Sequence, residues 1–201
     1  MRKIISLLGK PCAGKGTWLR QFLEGKEDQY KVVSCGDVLR QEVEKETILG
    51  KQAKHYMDAG KLIPDYIIIN LVLDQIRKTP EDMSLILDGF PRTKEQADAA
   101  LECQMGITHV VNLKVSDAEA MARSAIRVIC SKCGETYTTG AFKKPKKEGV
   151  CDKCGTKLIK RSDDKPEVMK KRLEVFNRDT VPAIERMKAS RVEYLEKESR
   201  F

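Results

Sequence analysis

The amino-acid sequence predicts an α/β fold in which helices flank a parallel β-sheet. Short apolar runs recur at KIISLLG, YKVVS, SLILD and THVVNLKV, and segments with helical periodicity separate them. Runs of this kind are typical of strands buried in a parallel sheet, and strands that alternate with helices favour that architecture. A cysteine-bearing segment interrupts the alternation, so we expect an insertion in an otherwise regular α/β chain.

The first predicted unit is strand, loop, helix, because KIISLLG leads through a glycine-rich turn into GTWLRQFLEG. Further helices are predicted from Asp37 to Lys54, with Asp37 as N-cap, and then at 65–78, 94–103 and 117–127. The stretch 166–198 is amphipathic throughout and predicts a long helix that Pro182 bends or breaks.

Length and composition indicate one globular domain. The chain has 201 residues, 41% of them hydrophobic, and a formal net charge of +8, which favours an anionic partner without identifying it. No apolar run approaches the roughly 20 residues of a membrane span, and the N-terminal segment is unlike a signal peptide. We therefore expect a cytoplasmic protein with no membrane partner.

The glycine-rich loop GKPCAGKGT, residues 9 to 17, carries the spacing G-x-x-x-x-G-K. In such loops backbone N–H groups surround phosphate oxygens and the lysine, here Lys15, neutralises the β and γ charges. The strict pattern has Ser or Thr directly after the lysine. Gly16 intervenes before Thr17, so no direct metal bond is assigned to Thr17. The loop predicts a bound nucleotide phosphate and leaves the reaction open.

Two CxxC pairs, in the order C-x2-C-x17-C-x2-C, match the spacing of a four-thiolate Zn²⁺ site. The predicted ligands are Cys130, Cys133, Cys151 and Cys154. Four protein ligands leave no open position for water, so the zinc would be structural. The lysine-rich segment between the pairs raises an alternative, a zinc-ribbon nucleic-acid-binding protein. It carries only Tyr137 and Phe142 as aromatics, few for a single-strand platform.

The segment SLILDGFPRTKEQADA places a carboxylate, Asp88, at the end of a predicted buried strand, and Arg92 and Gln96 follow. A carboxylate at the carboxyl end of a strand beside the glycine loop is suited to orient Mg²⁺ or its water ligands.

The chain resembles the adenylate kinase family of nucleoside monophosphate kinases, in its long-lid form. The matching segments are GKPCAGKGT, SCGDVLRQEV, LGKQAKHYMDAGKLIPD, LILDGFPRTKEQADA, the Arg123 to Arg127 spacing, the CxxC pairs and RSDDKPEVMKKRL, in the family's order. The resemblance implies a P-loop three-layer fold with a helical monophosphate-binding segment and a small zinc-ribbon-like β lid. It also implies the reaction ATP + AMP giving two ADP, with Mg²⁺.

The resemblance also implies roles by position. ATP would contact Cys12, Ala13, Gly14, Lys15, Gly16, Thr17, Arg123, Arg127, Thr136 and Tyr137. AMP would contact Cys35, Arg40, Lys61, Leu62, Ile63, Gly89, Phe90, Pro91, Arg92, Gln96, Arg161 and Arg172. The catalytic set would be Lys15, Arg92, Arg127, Arg161 and Arg172, and Asp163 and Asp164 would cap the next helix or pair with arginines to hold the lid shut.

The implied domains are a P-loop core (1–33, 64–125 and 165–201), an AMP-binding segment (34–63) and a zinc-binding lid (126–164). The expected partners are ATP, AMP and ADP, with no nucleic acid, and the expected state is a monomer. A UMP/CMP-type kinase is the alternative within the family.

The chain departs from the family pattern at three places. Cys12 replaces a glycine in the loop, so a requirement for positive φ there would strain the backbone. Cys35 replaces a threonine near the AMP base. After the amphipathic stretch the sequence stops at KESRF, without the further strand and helix that the resemblance implies.

Overall fold

A computed structural model describes residues 2–140 and 143–199. Its central sheet has five strands in the order β2-β3-β1-β4-β8, and every neighbouring pair is parallel. The strands are β1 (Ile4–Gly9), β2 (Tyr30–Ser34), β3 (Ser84–Asp88), β4 (His109–Lys114) and β8 (Glu193–Glu198). β2 and β3 lie on one side of β1 in the sheet, and β4 and β8 lie on the other. In such sheets ligands bind at the carboxyl ends of the strands, near the point where the strand order reverses.

Helices cover both faces of the sheet, which confirms the predicted fold class. They are α1 (Lys15–Leu23), α2 (Cys35–Glu44), α3 (Ile48–Asp58), α4 (Asp65–Arg77), α5 (Lys94–Glu102), α6 (Asp117–Ile126), α7 (Pro166–Val175) and α8 (Val181–Lys188). Successive strand residues face opposite layers. Leu85 and Leu87 therefore join one hydrophobic cluster with Ile184, whereas Ile86 joins another with Trp18.

The predicted helix from Asp37 to Lys54 is wrong in extent, because two helices occupy this region. Glu46 has a φ of 53° between them, which an α-helix does not allow, and the Thr47 side chain caps α3 by accepting from Gly50 N–H. The predicted N-cap is also wrong. Ser34 caps α2 by accepting from the N–H of Asp37, so Asp37 lies in the first turn.

The end of the chain corrects a second expectation. Residues 193–198 form β8 and do not continue a helix, because their backbone pairs with β4 from His109↔Glu193 to Lys114↔Glu198. A further strand therefore follows the amphipathic stretch, which corrects the expectation that the chain ends without one. Between α7 and α8 the chain forms a π-helical turn, Phe176–Thr180, and Pro182 is the second residue of α8. This turn absorbs the proline, which has no N–H to donate.

A second, antiparallel sheet of three strands lies in the inserted segment, in the order β6-β5-β7. Its strands are β5 (Arg127–Cys130), β6 (Thr136–Thr138) and β7 (Leu158–Ile159). Phe142, noted above as an aromatic of this segment, lies outside the described residues. In the described ranges, no helix has both the length and the apolar character that crossing a membrane requires.

Candidate active site

A cleft of about 500 Å³ lies at the carboxyl ends of the central strands, between the sheet, α2 and α3, and the inserted segment. It is lined by the phosphate loop and by the end of β3. Arginines from α2, from the α6–β5 junction and from the segment 161–172 line it as well. Of the predicted residues, it is lined by Cys12, Ala13, Gly14, Lys15, Gly16, Thr17, Cys35, Arg40, Lys61, Leu62, Ile63, Asp88, Gly89, Arg92, Gln96, Arg123, Arg127, Thr136, Tyr137, Arg161 and Arg172.

The phosphate loop folds around its lysine. Gly14 adopts a left-handed conformation with a φ of 79° and is the N-cap of α1, whose first residues, Lys15 to Thr17, line the cleft. Lys15 Nζ lies 3.3 Å from the carbonyl oxygen of Gly9 and 3.5 Å from that of Lys10. Burial lowers the pKa of Lys15 to about 8, although Asp88 opposes that shift. The ammonium group is thus desolvated and held by the carbonyl oxygens of the loop, and Lys15 lines the cleft.

Cys12 has a φ of 61°, so the loop does require the positive φ that a glycine would supply without strain. Burial raises the pKa of its thiol, against the opposing effect of Arg127. The thiol is therefore kept in its neutral form beside the cationic groups of the cleft.

Asp88 ends β3 next to β1, where it pairs in register with Leu7. Its Oδ1 is buried and has no hydrogen-bond partner. A buried carboxylate oxygen without a donor is costly, and it fits a cation or the water ligands of a cation in the cleft. The donor chemistry at this position is therefore that of a Mg²⁺-orienting group.

The turn after β3 places Arg92 by local bonds. Arg92 Nε donates to the carbonyl of Gly89 at 2.8 Å, and the Arg92 carbonyl accepts from Thr180 Oγ1 at 2.9 Å. Gly89 has a φ of 77°, and a Cβ there would lie 2.3 Å from Arg92 Nη2. Gln96 is buried, and its amide bonds to the N–H of Arg92 and to Asp65.

Phe90 and Pro91 are brought to this turn but do not line the cleft. Phe90 is fully buried in the hydrophobic core, and its carbonyl accepts a hydrogen bond from Ser6 Oγ at 2.6 Å. The peptide bond between the two residues is cis. The Phe90 side chain packs in the core, and an AMP contact of either residue stays a prediction.

Arg127 and Arg172 form an ion-pair network with two acidic residues of the 3₁₀ turn Ser162–Asp164. Arg127 makes a two-point contact with the buried carboxylate of Asp164, including a 2.8 Å bond from Nε to Oδ2. Arg172 Nη1 lies 3.0 Å from Asp163 Oδ2 and donates to the Asp163 carbonyl at 3.1 Å. Of the two roles considered, the acids therefore pair with arginines, and Lys165 is the N-cap of α7.

Within this network, burial and neighbouring charges shift the pKa of Asp163 in opposite directions. Burial alone would raise the pKa of Asp163, but Arg172 and the neighbouring arginines bring it below its usual value. Burial lowers the pKa of Arg172, and nearby arginines add to that effect. The cleft thus concentrates positive charge and is suited to polyanions.

Arg40 and Arg161 face each other across Asp37. Arg40 pairs with the Asp37 carboxylate, and Arg161 Nη2 lies 4.0 Å from the same oxygen. Arg161 Nε is buried without a partner, and burial together with Arg40 lowers the pKa of Arg161 to about 10. This guanidinium retains a free donor in the cleft.

Arg123 is held by the phosphate loop and by two residues, Glu119 and Ser199, that the sequence pattern did not single out. Its Nη1 donates to the Cys12 carbonyl at 3.4 Å and to Ser199 Oγ at 2.6 Å, and Nη2 donates to the Ser199 carbonyl at 3.1 Å and pairs with Glu119. Glu119 lies four residues before Arg123 on α6, a spacing that could have identified it. Ser199 gives no such signal, because only the pairing of β8 brings it there.

The wall formed by α2, α3 and the following segment combines apolar side chains with Cys35. Burial raises the pKa of the Cys35 thiol to about 11, so it contributes a neutral surface. The apolar members of this wall are Leu39, Met57, Ile63 and Ile68. Such a surface, with Gln96 as a neutral polar group, is suited to a planar base.

Thr136 and Tyr137 border the cleft from β6. The Tyr137 ring is buried, its hydroxyl lies 3.5 Å from Cys151 Sγ, and it accepts from the N–H of Asp152 at 2.9 Å. The hydroxyl is therefore directed toward the cysteine cluster, and a nucleotide contact of Tyr137 stays a prediction.

The four cysteines of the inserted segment converge. Their Sγ atoms all lie within 4.8 Å of one another, with 3.3 Å between Cys130 and Cys154 and 3.6 Å between Cys133 and Cys151. A tetrahedral ion with Zn–S bonds of about 2.3 Å needs S–S separations of about 3.8 Å. The donor set and its spacing thus fit one tetrahedral metal ion.

Comparisons with known proteins give a consistent result. A family model described as adenylate kinase matches residues 7–192. A protein named adenylate kinase from Caldicellulosiruptor bescii is 44% identical over 187 residues, covering 91% of this chain and 86% of the relative. One from Methanococcoides burtonii is 41% identical over 184 residues, covering 90% and 84%. Together with the phosphate loop, the arginine-lined cleft and the cysteine-bearing insertion, these matches show that the chain belongs to the adenylate kinase family.

Proposed function

We propose that this protein transfers the γ-phosphoryl group of ATP to AMP and forms two ADP, reversibly. The observation that carries the proposal is the convergence of a phosphate loop and five arginines from separate segments on one cleft. These arginines are Arg40, Arg92, Arg127, Arg161 and Arg172. The relatives are named adenylate kinase, which favours this activity over a UMP/CMP-type kinase and over a nucleic-acid-binding ribbon.

The two nucleotides would occupy opposite ends of the cleft. ATP would place its phosphates on the loop from Cys12 to Thr17, against Lys15, Arg123 and Arg127, with Thr136 and Tyr137 near its nucleoside. AMP would lie against the apolar wall with Cys35, Lys61–Ile63 and Gln96 around the base, and with Arg40, Gly89 and Arg92 toward its phosphate.

The reaction needs charge neutralisation more than it needs a proton acceptor. The AMP phosphate, with a second pKa of about 6, is largely dianionic near neutral pH and is already a nucleophile. Two polyphosphates repel each other, and permanently charged, forked guanidinium groups hold them in line and stabilise the charge that spreads in the transition state. Lys15, Arg92, Arg127, Arg161 and Arg172 would supply that charge.

Magnesium would accompany ATP, and Asp88 would orient it. The buried Asp88 Oδ1 without a partner supports this assignment. When bound, the ion supplies neutralisation of the phosphate oxygens. The strict loop pattern that would give Thr17 a direct metal bond is absent, as noted above.

The inserted segment would act as a lid, stiffened by structural Zn²⁺ on Cys130, Cys133, Cys151 and Cys154. A lid is needed because water reaching the γ-phosphate would be phosphorylated in place of AMP. The ion pair between Arg127 and Asp164 joins the two ends of this segment, which supports its movement as one unit.

The remaining features of the proposal follow from the site. One chain contributes both the phosphate loop and the arginines, so the activity requires no second subunit and a monomer is proposed. A cytoplasmic location is proposed because thiolate ligands persist in a reducing compartment, and all seven cysteines are free of disulfide bonds.

The test is ADP formation from ATP with AMP, CMP, UMP and GMP in turn. We expect turnover with AMP, and a loss of at least about 100-fold in kcat for Lys15→Met and for Arg92→Ala. The matched controls are Lys78→Met and Arg178→Ala, which change exposed side chains and should leave kcat unchanged. Absence of AMP-dependent turnover, or turnover indifferent to the first two substitutions, would overturn the proposal.

A further inference from the structure

The amide of Gln96 is held in one orientation by groups around it. Its Oε1 accepts from the backbone N–H of Arg92 at 2.8 Å, and its Nε2 donates to Asp65 Oδ1 at 2.8 Å. Gln96 is 1% exposed and borders the cleft, whereas Asp65 lies behind it at the start of α4. Asp65 is the last residue of the segment LGKQAKHYMDAGKLIPD, and the resemblance implied no role for it.

The chemistry of these two partners determines which amide atom is oxygen and which is nitrogen. A backbone N–H only donates, so the amide atom facing Arg92 must be the oxygen. A carboxylate only accepts, so the atom facing Asp65 must be the nitrogen. If the amide turned by 180°, its NH₂ group would face the N–H of Arg92, so two donors would meet. Its oxygen would face the Asp65 carboxylate, so two acceptors would meet.

Asp65 is itself held in place. Its Oδ1 also accepts from Thr93 Oγ1 at 2.9 Å, and the same Thr93 oxygen accepts from the backbone N–H of Gln96 at 3.1 Å as the N-cap of α5. The carboxylate therefore cannot turn away without leaving the Thr93 hydroxyl without its acceptor, and the network resists rearrangement as a whole.

We propose that Asp65 is a positioning residue that makes the acceptor site selective for a 6-aminopurine over a 6-oxopurine. The inference rests on the proposed function, which places the AMP base against Gln96. After the bonds described above, an amide retains one N–H and one lone pair. Side by side, these match the N1 acceptor and the 6-amino donor of adenine. A 6-oxopurine presents an N1–H donor and an O6 acceptor in the reverse order, and it would need the amide turned.

The expected selectivity follows from the cost of that turn. Unmade hydrogen bonds at buried donors and acceptors are penalised, and sites built to pair with a polar group reject a ligand of the wrong polarity strongly. A base that shifts in its plane would regain one bond, so we expect a contribution of about tenfold to the preference for AMP over IMP.

The experiment measures dissociation constants of AMP and IMP by titration calorimetry, which requires no turnover. In Asp65→Asn the replacement amide is able to donate or accept, and the Gln96 amide becomes free to turn. We expect the ratio of IMP to AMP dissociation constants to fall about tenfold. Asp74→Asn makes the same change at an exposed position of the same helix and should leave the ratio unchanged.

Two further variants separate positioning from a general structural effect. In a Gln96→Met background, Asp65→Asn should no longer change the ratio, because Asp65 acts through the amide. Asp65→Glu, which still only accepts, should retain the AMP preference and serves as the test if Asp65→Asn does not fold. An unchanged ratio in folded Asp65→Asn, a fall that persists in the Gln96→Met background, or loss of preference in Asp65→Glu would overturn the inference. Failure of the proposed function would appear separately, as absent turnover in the parent.

Discussion

Single residues in the phosphate loop determine how the cleft would bind the negative charge of phosphates. The loop uses a cysteine in a left-handed conformation and a lysine whose ammonium group is buried among carbonyl oxygens. Motif spacing identified Lys15 and Asp88, because both stand at fixed offsets from strand ends. It did not identify Asp65 or Ser199, whose roles depend on which side chains meet across the fold.

The pH dependence of ATP binding tests the burial of Lys15. Its pKa of about 8 in the folded protein lies below the value of 10.5 for an exposed lysine. Between these values the unfolded chain binds more protons, so the Lys15 contribution to the free energy of unfolding increases with pH. Binding responds in the opposite direction, because phosphates need the cation.

We expect the dissociation constant of ATP to rise above pH 8, by up to about tenfold per pH unit. Calorimetric titrations from pH 7.5 to about 9.5 would measure it. Lys15→Met should bind ATP more weakly and without this slope. A parent protein with flat binding across this range would contradict the prediction.

Backbone strain at Cys12 is tested by comparing two small replacements. Cys12→Ala and Cys12→Gly lose the same thiol, but only glycine adopts a φ of 61° without steric cost. We expect the glycine variant to exceed the alanine variant by about 1 kcal/mol in free energy of unfolding, measured by denaturant titration. The pair Glu46→Gly and Glu46→Ala, at a φ of 53° outside the loop, should show a similar difference. Equal stabilities within the Cys12 pair would refute the strain.

At the scale of elements, local patterns predicted most strands and helices, since the apolar runs and the helical periodicity are read from neighbouring residues. In two regions the structure differs from the prediction, and each difference has a physical reason. Thr47 offers a cap that divides the helix predicted after Asp37, and a left-handed Glu46 allows the turn. The segment 193–198 is rich in Glu and Lys, yet pairing with β4 overrides its composition.

We expect the inserted segment to depend on the proposed zinc for its order, because few of its described side chains form a core of its own. Among the residues of the segment that the structure describes, the hydrophobic cluster consists of Cys130, Tyr137, Cys151 and Leu158, with Val128 packed against it. Structural zinc in finger peptides contributes about 10–16 kcal/mol at neutral pH, enough to order such a unit. We expect chelation to lower the melting temperature, to expose the segment to protease and to reduce turnover.

Limited proteolysis and thermal denaturation of metal-stripped and zinc-loaded protein would measure these effects. Cys130→Ser should behave like stripped protein, whereas Cys103→Ser, an exposed cysteine outside the cluster, should not. Stripped and loaded samples with the same melting temperature and activity would exclude a structural role for the metal.

At the scale of the whole molecule, the sheet brings distant parts of the chain to one edge. The phosphate loop follows β1 and Asp88 ends β3, and both line the cleft. Ser199 follows β8 and holds Arg123, which also lines the cleft. The sequence predicted the positions of the phosphate loop and of Asp88. The position of Ser199 could not be predicted, because it depends on the pairing of the last strand with β4.

This convergence predicts a specific role for the chain end. Ser199→Ala removes the 2.6 Å bond to Arg123 Nη1, so we expect the KM for ATP to rise several-fold while the KM for AMP stays unchanged. Initial rates with each nucleotide varied separately would show the split. Ser199→Thr should retain the ATP affinity, and Ser190→Ala should change neither constant. A rise in both KM values would point instead to a general loss of order.

The π-helical turn between α7 and α8 sets the rotational phase of the last helix. An α-helix advances about 100° per residue, so a chain shortened by one residue within Phe176–Thr180 would present a different side of α8 to the sheet. Ala183, Ile184 and Met187 would then leave the core, and Thr180 would lose its bond to the Arg92 carbonyl. One additional residue in this turn thus keeps a buried helix and an arginine of the cleft in register with each other.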